Sequence, residues 1–322
     1  MVTQDGVLEK ADHIRKMEAA RLSVAAALFL AILKTSVGVI FHSLGMLSAG
    51  VDSLMDLFAS SLNYFSMKES LKPADSEHPY GHGKIENVAS FFQAGLIGLA
   101  GALLIGEGVR RMLYVEEVPD FDWSIGVILF SVLISYLVGR RLARVGRETD
   151  SPLLKADALH FSVDTYTNSG VLVALGLSQW TGLIIFDRLI AIVIGVWVMA
   201  AAYRIFRSSL DALIDRDIPE ESRRDIDRII LSHSPTIIGY HKLRTRRAGS
   251  QKLIDLHLVT CREMTIAEAH DIADHIEKEI ESQISHADVI IHVEPCTDNR
   301  PGCEEKCRFV KCSNGVASRS PL

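Results

Sequence analysis

Two pairs of metal-ligating side chains stand four positions apart, each inside a long apolar stretch of the 322-residue chain. Asp52 and Asp56 form the first pair, and His160 and Asp164 form the second. In a helix, residues at i and i+4 lie on one face about one turn apart. Three carboxylates and one imidazole then offer the nitrogen and oxygen ligands of a tetrahedral divalent transition metal. The alternative is two unrelated polar pairs that help helices to pack.

The same four side chains bind protons as well as metal. Carboxylate and imidazole coordinate a metal only when they are deprotonated, so metal and protons compete for one site. A site that opens alternately to the two sides of a membrane would therefore exchange metal for protons. We predict a proton-coupled antiporter that exports zinc or ferrous iron, because one imidazole among carboxylates favours these metals over magnesium or calcium.

A second cluster follows the second apolar stretch. Asp75, His78 and His82 stand among a proline and two glycines, whose turn would bring the three side chains together. The cluster is either a metal site or an ordinary polar loop.

A third cluster lies in the polar part of the chain. A small sheet with a helix packed on it would gather element ends into a binuclear metal site. The members of this cluster are His241, His257, His270, His292 and Glu294. In the alternative interpretation, His257 and His292 are packed sheet residues and the others are exposed.

Six apolar stretches have about the 20 residues that crossing a bilayer requires. They cover approximately residues 21–41, 44–67, 88–112, 123–142, 156–177 and 181–205. The two pairs of metal-ligating residues interrupt the second and the fifth stretch. A charge inside a membrane is costly unless it is paired, hydrated or ligated, so these interruptions indicate function.

Lysine and arginine orient the six predicted spans. They collect before the first span, between the second and third, and between the fourth and fifth, whereas the opposite loops are short or acidic. Positive residues favour the cytoplasmic side. We therefore predict a multi-pass protein of the inner membrane with both termini in the cytoplasm.

Alternating and amphipathic patterns replace the apolar runs after the sixth span. They predict a helix over 219–232, strands over 241–247 and 252–260, a helix over 265–284 and a strand over 288–293. This order predicts a small α+β domain whose thin core would gain stability from dimerisation. The predicted organisation is a cytoplasmic segment 1–18, a membrane domain 19–208, a metal-binding and dimerisation domain 209–295, and a flexible tail 296–322.

Composition excludes several classes of protein. A net charge of −6 without a basic patch gives no reason to expect a nucleic-acid partner. A membrane metalloprotease would need a motif such as H-E-x-x-H, which does not occur, so we do not expect an enzyme. Four of the five cysteines lie in the last 27 residues, which excludes a disulfide framework for the whole fold. These four would bind a soft metal or stay reduced in a flexible tail, and they are Cys296, Cys303, Cys307 and Cys312.

These residues resemble the cation diffusion facilitator family, in particular its bacterial branch of ferrous-iron and zinc efflux pumps. The resemblance extends over roughly residues 15–296. It rests on the sequence V-D-S-L-M-D at 51–56, L-K-P-A-D at 71–75 leading into H-P-Y-G-H-G-K at 78–84, A-D-A-L-H at 156–160 and D-V-I-I-H at 288–292. It implies six transmembrane helices, a ferredoxin-like, metallochaperone-like cytoplasmic domain and a homodimer.

The resemblance also implies a role for each cluster. The four residues of the two spans match the transport site, the loop cluster matches an accessory metal site, and the third cluster matches a cytoplasmic binuclear site. Lys84 and Asp215 match an ion pair at the hinge between the membrane and soluble domains. Cadmium joins zinc and iron among the metals that such transport sites carry.

The chain departs from that branch in two places. Glu294, after Val293, stands where an amide and an aspartate are usual, so one binuclear ligand would be lost and another lengthened. The tail after Cys296 has no counterpart in the branch. Two further functions share many of these residues: an iron transporter that loads a compartment, and a membrane-anchored metal sensor that does not transport. An intact pair of span clusters disfavours the sensor, which would need only the soluble cluster.

Overall fold

The computed structural model describes residues 4–42, 44–113, 124–181, 185–234 and 236–297. The chain divides into a first unit that ends at Leu213 and a second that begins at Ile214. Six long helices make up the described part of the first unit, and the predicted spans fall on them. The helices are α1 (Gln4–Ile40), α2 (Leu44–Ser70), α3 (Lys84–Leu113), α4 (Ser124–Glu148), α5 (Pro152–Thr181) and α6 (Ile185–Leu213).

The outer surface of the first unit is apolar. Every one of its helices exposes large hydrophobic side chains, which a water-soluble bundle would bury. Examples are Ile32, Phe58, Leu103, Leu133, Val173 and Val193. Within the described residues, α1, α3, α4 and α6 contain segments that are long and apolar enough to cross a membrane. The ionisable residues of α2 and α5 break such a pattern, so six spans remain a prediction.

Close helix packing depends on glycine. The helices pack most extensively as α1 with α2, α3 with α6, and α4 with α5. A Cβ atom on Gly195 of α6 would lie 2.9 Å from the carbonyl oxygen of Gly101 in α3. Small residues allow helix backbones to approach in this way, and van der Waals packing then holds them in lipid.

A buried ion pair connects α1 to α3. Lys16 donates to Glu86 at 2.9 Å, and both side chains are only 2% exposed. Ser151, just before α5, donates to the second carboxylate oxygen of Glu86. At the surface nearby, Arg15 pairs with Glu148 at the end of α4. The polar network thus joins α1 to the start of α3, the end of α4 and the start of α5.

The second unit is the α+β domain that the sequence predicts. Its elements are α7 (Glu220–Ser232), β1 (Gly239–Ala248), β2 (Gln251–Thr260), α8 (Ile266–Gln283) and β3 (Ala287–Pro295). The sheet has the order β1-β2-β3, with β1 antiparallel and β3 parallel to β2. A parallel neighbour requires a crossover connection, and α8 supplies it.

Both helices of this unit pack on one face of the sheet. Ile226 and Ile230 of α7 and Ile276 of α8 share a core with Ile254 and Leu256 of β2. Because successive strand residues point to opposite faces, His257 lies on the other face, which carries no helix among the described residues. The histidines of the three strands therefore share an open surface.

The predicted tail begins at residue 296, and the structure describes its first two residues. Cys296 is a buried free thiol that packs against Val259 and Ile238. Its backbone N–H donates to the Thr260 carbonyl at 2.9 Å, so the chain stays attached to the sheet beyond β3. A free cysteine behaves as a small apolar side chain, which explains its place in this cluster. Cys303, Cys307 and Cys312 lie outside the described residues.

Candidate metal centre

The two helical pairs of the sequence meet between α2 and α5. Asp56, His160 and Asp164 each present one ligand atom, and these atoms lie within 4.8 Å of one another. His160 Nε2 lies 3.2 Å from an Asp56 carboxylate oxygen. Two ligands of a tetrahedral zinc with bonds of about 2.0–2.1 Å would stand about 3.3 Å apart. The spacing of this pair therefore suits a shared metal ion.

Asp52 lies close to these three ligands, but its carboxylate is not among the atoms that lie within 4.8 Å of one another. It lines a cavity of about 250 Å³ together with Asp56, Asp164 and Lys34. Lys34 also donates to Ser53 at 2.9 Å, which fixes its ammonium group on the α1–α2 side of the cavity. The structure thus gathers three of the four expected ligands, and the four-ligand site stays a prediction.

Two polar residues next to these ligands differ in position. Asn168, one turn beyond Asp164, lines the cavity. Asp157, one turn before His160, is 1% exposed and faces α2 and α3 instead. It accepts hydrogen bonds from Asn63 at 3.1 Å and Gln93 at 3.4 Å. Asp157 thereby fixes the rotation of α5, on which His160 is placed.

The loop cluster forms between α2 and α3. Asp75 lies 3.4 Å from His78 Nδ1 and 3.5 Å from His82 Nε2, and the two rings are 4.4 Å apart. The same carboxylate accepts the backbone N–H groups of His78 at 2.7 Å and Glu77 at 2.9 Å. The first of these bonds is the main cause that lowers the pKa of Asp75. Asp75 therefore orders the turn and also presents a carboxylate to two imidazoles.

Three histidines of the second unit form one row across the sheet. His241 of β1 pairs in register with His257 of β2, which pairs with His292 of β3. Glu294, two residues after His292, lies 2.6 Å from His257 Nδ1 and 3.1 Å from His241 Nε2. The hydrogen bond from His257 is the main cause that lowers the pKa of Glu294, so this carboxylate stays ionised.

His292 and His270 stand apart from the tight part of this cluster. His241, His257 and Glu294 form the group whose ligand atoms all lie within 4.8 Å of one another. His292 lies at the edge of this group, with its Nε2 3.9 Å from a Glu294 oxygen. His270 is exposed on α8, which packs on the other face of the sheet. The described residues of one chain thus assemble a mononuclear ligand set, and the binuclear site stays a prediction.

The two residues of the predicted hinge pair fall in different units. Lys84 begins α3 in the first unit, and Asp215 follows α6 in the second with a φ of 57°. The pairing of these residues stays a prediction.

Spacing patterns in the sequence do not connect Lys34 to the metal ligands, and they do not group His233 with His275 and Glu279. Lys34 stands at i−18 from Asp52 in a separate helix, so no spacing rule connects the two. His275 and Glu279 are four positions apart on α8, and that spacing was available as a signal. The third member of this cluster, His233, follows α7, so the spacing along α8 does not reveal it.

Substituting Glu294 with glutamine is expected to weaken zinc binding to the sheet cluster by about 10–100-fold, the loss typical of removing a group that supports a metal site. The amide retains the shape of the side chain but loses the negative charge. Bound zinc per chain, counted by mass spectrometry at buffered free zinc, provides the measurement. Asp255→Asn removes a carboxylate from the same sheet face and serves as the control. Equal zinc binding by Glu294→Gln and wild type would contradict the prediction.

Known proteins match both units. The family model of the cation efflux transmembrane domain matches residues 20–214, and that of the cytoplasmic domain of cation efflux proteins matches residues 218–296. The cation-efflux pump FieF of Yersinia pestis (strain Pestoides F) is 37% identical over 286 residues, which are 88% of this chain and 95% of that protein. FieF of Yersinia pseudotuberculosis serotype O:3 (strain YPIII) matches to the same extent. A solved structure of CzrB in its zinc form is 29% identical and covers 27% of this chain and 98% of that chain, with a TM-score of 0.24.

Proposed function

Because this chain belongs to the cation efflux family, we propose that it exports a divalent transition metal from the cytoplasm in exchange for protons. The observation that supports this function best is the cavity between the helices of the first unit. Asp56 and Asp164 line this cavity, and with His160 beside it they converge in a spacing that suits a tetrahedral ion. Asp52 would complete the ligand set after a small movement of α2.

Charge balance explains the coupling to protons. The cavity holds the carboxylates of Asp52, Asp56 and Asp164 and the ammonium group of Lys34. A divalent cation neutralises the remaining negative charge, and so do protons on the ligands. Uncompensated charge is costly in the membrane. The cavity therefore holds either a metal ion or protons when its opening switches from one side of the membrane to the other. Protons entering from outside then release the metal, and their loss to the cytoplasm prepares the site for the next ion.

Donor chemistry favours zinc, followed by ferrous iron, and the site also accepts cadmium. One imidazole and several carboxylates suit borderline divalent ions, whereas an all-oxygen site would suit magnesium, calcium or manganese. An iron transporter that loads a compartment would use the same ligands. The metal that is transported fastest distinguishes the two functions: zinc indicates the exporter, and iron indicates the iron transporter.

The proposed setting is a homodimer in the inner membrane with both termini in the cytoplasm. Basic residues concentrate in the segments at one end of the helices, as cytoplasmic segments do. In the described part of the second unit, one small sheet has a face that carries no helix, and a second copy would shield part of that surface. Metal at the sheet cluster would then stabilise the assembly.

Transport in reconstituted vesicles tests the proposal. The purified full-length protein is placed in liposomes with an imposed pH gradient, and zinc, ferrous iron, cadmium and manganese are compared while an internal dye follows pH. We expect zinc to move fastest and each metal current to produce an opposite proton current. Metal flux that is unaffected when an ionophore collapses the pH gradient would refute proton coupling. Metal binding without flux would identify a sensor instead.

A further inference from the structure

The helical layer of the second unit contains another cluster of metal-ligating side chains. His233, His275 and Glu279 each present one ligand atom, and these atoms lie within 4.8 Å of one another. His233 is the C-cap that follows α7, whereas His275 and Glu279 are one turn apart on α8. We propose that this cluster is a separate site for one late divalent transition metal, such as zinc, which joins α7 to α8.

Hydrogen bonding orients His233 for coordination. Its Nδ1 lies 3.0 Å from the Ile229 carbonyl oxygen. A carbonyl oxygen only accepts, so Nδ1 carries the proton and donates. Metal-binding histidines commonly donate their second N–H to a backbone carbonyl, which fixes the tautomer and directs the other nitrogen to the metal. The remaining nitrogen of His233, Nε2, points towards Glu279.

The opposing carboxylate is oriented as well. One oxygen of Glu279 accepts a hydrogen bond from Gln283 at 3.1 Å. Its other oxygen lies 3.3 Å from His233 Nε2. Two acceptor atoms at this distance need a proton or a cation between them. Ligands of a tetrahedral zinc stand about 3.3 Å apart, so the observed separation already suits the ion.

His275 supplies the third ligand. Its ring centre is 5.3 Å from that of His233, and its side chain is exposed, so a change of rotamer brings a nitrogen to the ion without disturbing the core. Two imidazoles and one carboxylate favour zinc or cobalt over calcium or magnesium. Three protein ligands leave the fourth position of the metal to water.

The surrounding charge of α8 also attracts cations. This helix carries one lysine, Lys278, and an excess of acidic residues. Those residues are Glu268, Asp271, Asp274, Glu277, Glu279 and Glu281. The strand histidines lie on the opposite face of the sheet, so the two clusters bind metal independently. The proposed site does not depend on transport by the first unit.

Counting bound metal tests the site directly. The full-length protein is stripped with a chelator in detergent, dialysed against buffered free zinc and analysed by mass spectrometry. We expect His275→Gln and Glu279→Gln each to bind one zinc fewer per chain than the wild type. Glu281→Gln, which makes the same charge change on α8, is expected to retain the wild-type number. Unchanged zinc in the first two variants, or loss of more than one ion, would overturn a local site.

Hydrogen exchange gives a second, structural readout. Zinc at this cluster connects the end of α7 to α8, so it is expected to slow amide exchange in residues 226–234 of wild type and of Glu281→Gln. The slowing is expected to vanish in His275→Gln. Zinc-dependent protection of this segment that persists in His275→Gln would also overturn the proposal. Vesicle flux by the same variant should equal that of the wild type, which separates this test from that of the transport function.

Discussion

Substituting Asp164 with asparagine is expected to reduce metal flux into vesicles by at least ~100-fold, which corresponds to a loss of about 2.7 kcal/mol in binding free energy. Asp164 lines the cavity and is one of three side chains whose ligand atoms lie within 4.8 Å of one another. Asparagine keeps its size, so helix packing should survive, but it removes an anionic ligand and a proton acceptor. Both the capture of metal and its exchange for protons then fail. Initial rates of zinc flux at equal protein density provide the measurement.

The matched control removes a carboxylate outside the cavity. Glu107→Gln changes an exposed side chain of α3 that bonds Arg110 and Arg111, and its flux is expected to stay within twofold of the wild type. Equal thermal unfolding of the two variants in detergent shows that both are folded. Zinc flux that survives Asp164→Asn at the wild-type rate would eliminate the proposed site.

Asp52 distinguishes three ligands from four. It lines the cavity but lies outside the tight group. If three ligands hold the metal, Asp52→Asn should reduce flux much less than Asp164→Asn does. Equal losses would instead support the four-ligand site that the sequence predicts, with α2 moving when metal binds.

The location of the cavity follows from local rules, whereas its exact ligand set does not. The i, i+4 spacing places Asp52 with Asp56 and His160 with Asp164, and ionisable residues in apolar helices must face the bundle interior. The relative rotation of α2 and α5 determines which of the four atoms meet. That rotation depends on distant contacts, such as those of Asp157 with Asn63 and Gln93, which no sequence spacing reveals.

The second unit shows the same division between local and long-range information. Alternating and amphipathic patterns predict its five elements, and the structure confirms their order and type. The strand register that aligns His241, His257 and His292 in one row is a long-range property. Because α8 packs on the opposite face of the sheet, His270 lies away from that row of histidines. The prediction from sequence places His270 in the same cluster. The cluster of His233 with His275 and Glu279 was missed because its members come from two helices.

The buried ion pair between α1 and α3 should dominate the stability of the first unit at its polar end. Substituting Lys16 with methionine is expected to lower the free energy of unfolding by about 3–5 kcal/mol, because it leaves the Glu86 carboxylate buried without its cation. Lys16 and Glu86 are each 2% exposed, so water cannot replace the lost partner. Unfolding of the full-length protein in mixed micelles provides the measurement.

Two further variants identify burial of the unpaired charge as the cause. Adding Glu86→Gln to Lys16→Met removes both charges, and this double variant should recover at least half of the lost stability, since a neutral pair carries no uncompensated charge. Lys72→Met breaks the exposed pair with Glu69, whose side chains are 52% and 46% exposed, and it should cost no more than about 1 kcal/mol. Similar losses for Lys16→Met and Lys72→Met would contradict this account. A double variant no more stable than Lys16→Met would mean that lost packing of the lysine stem, rather than the stranded carboxylate, destabilises the bundle.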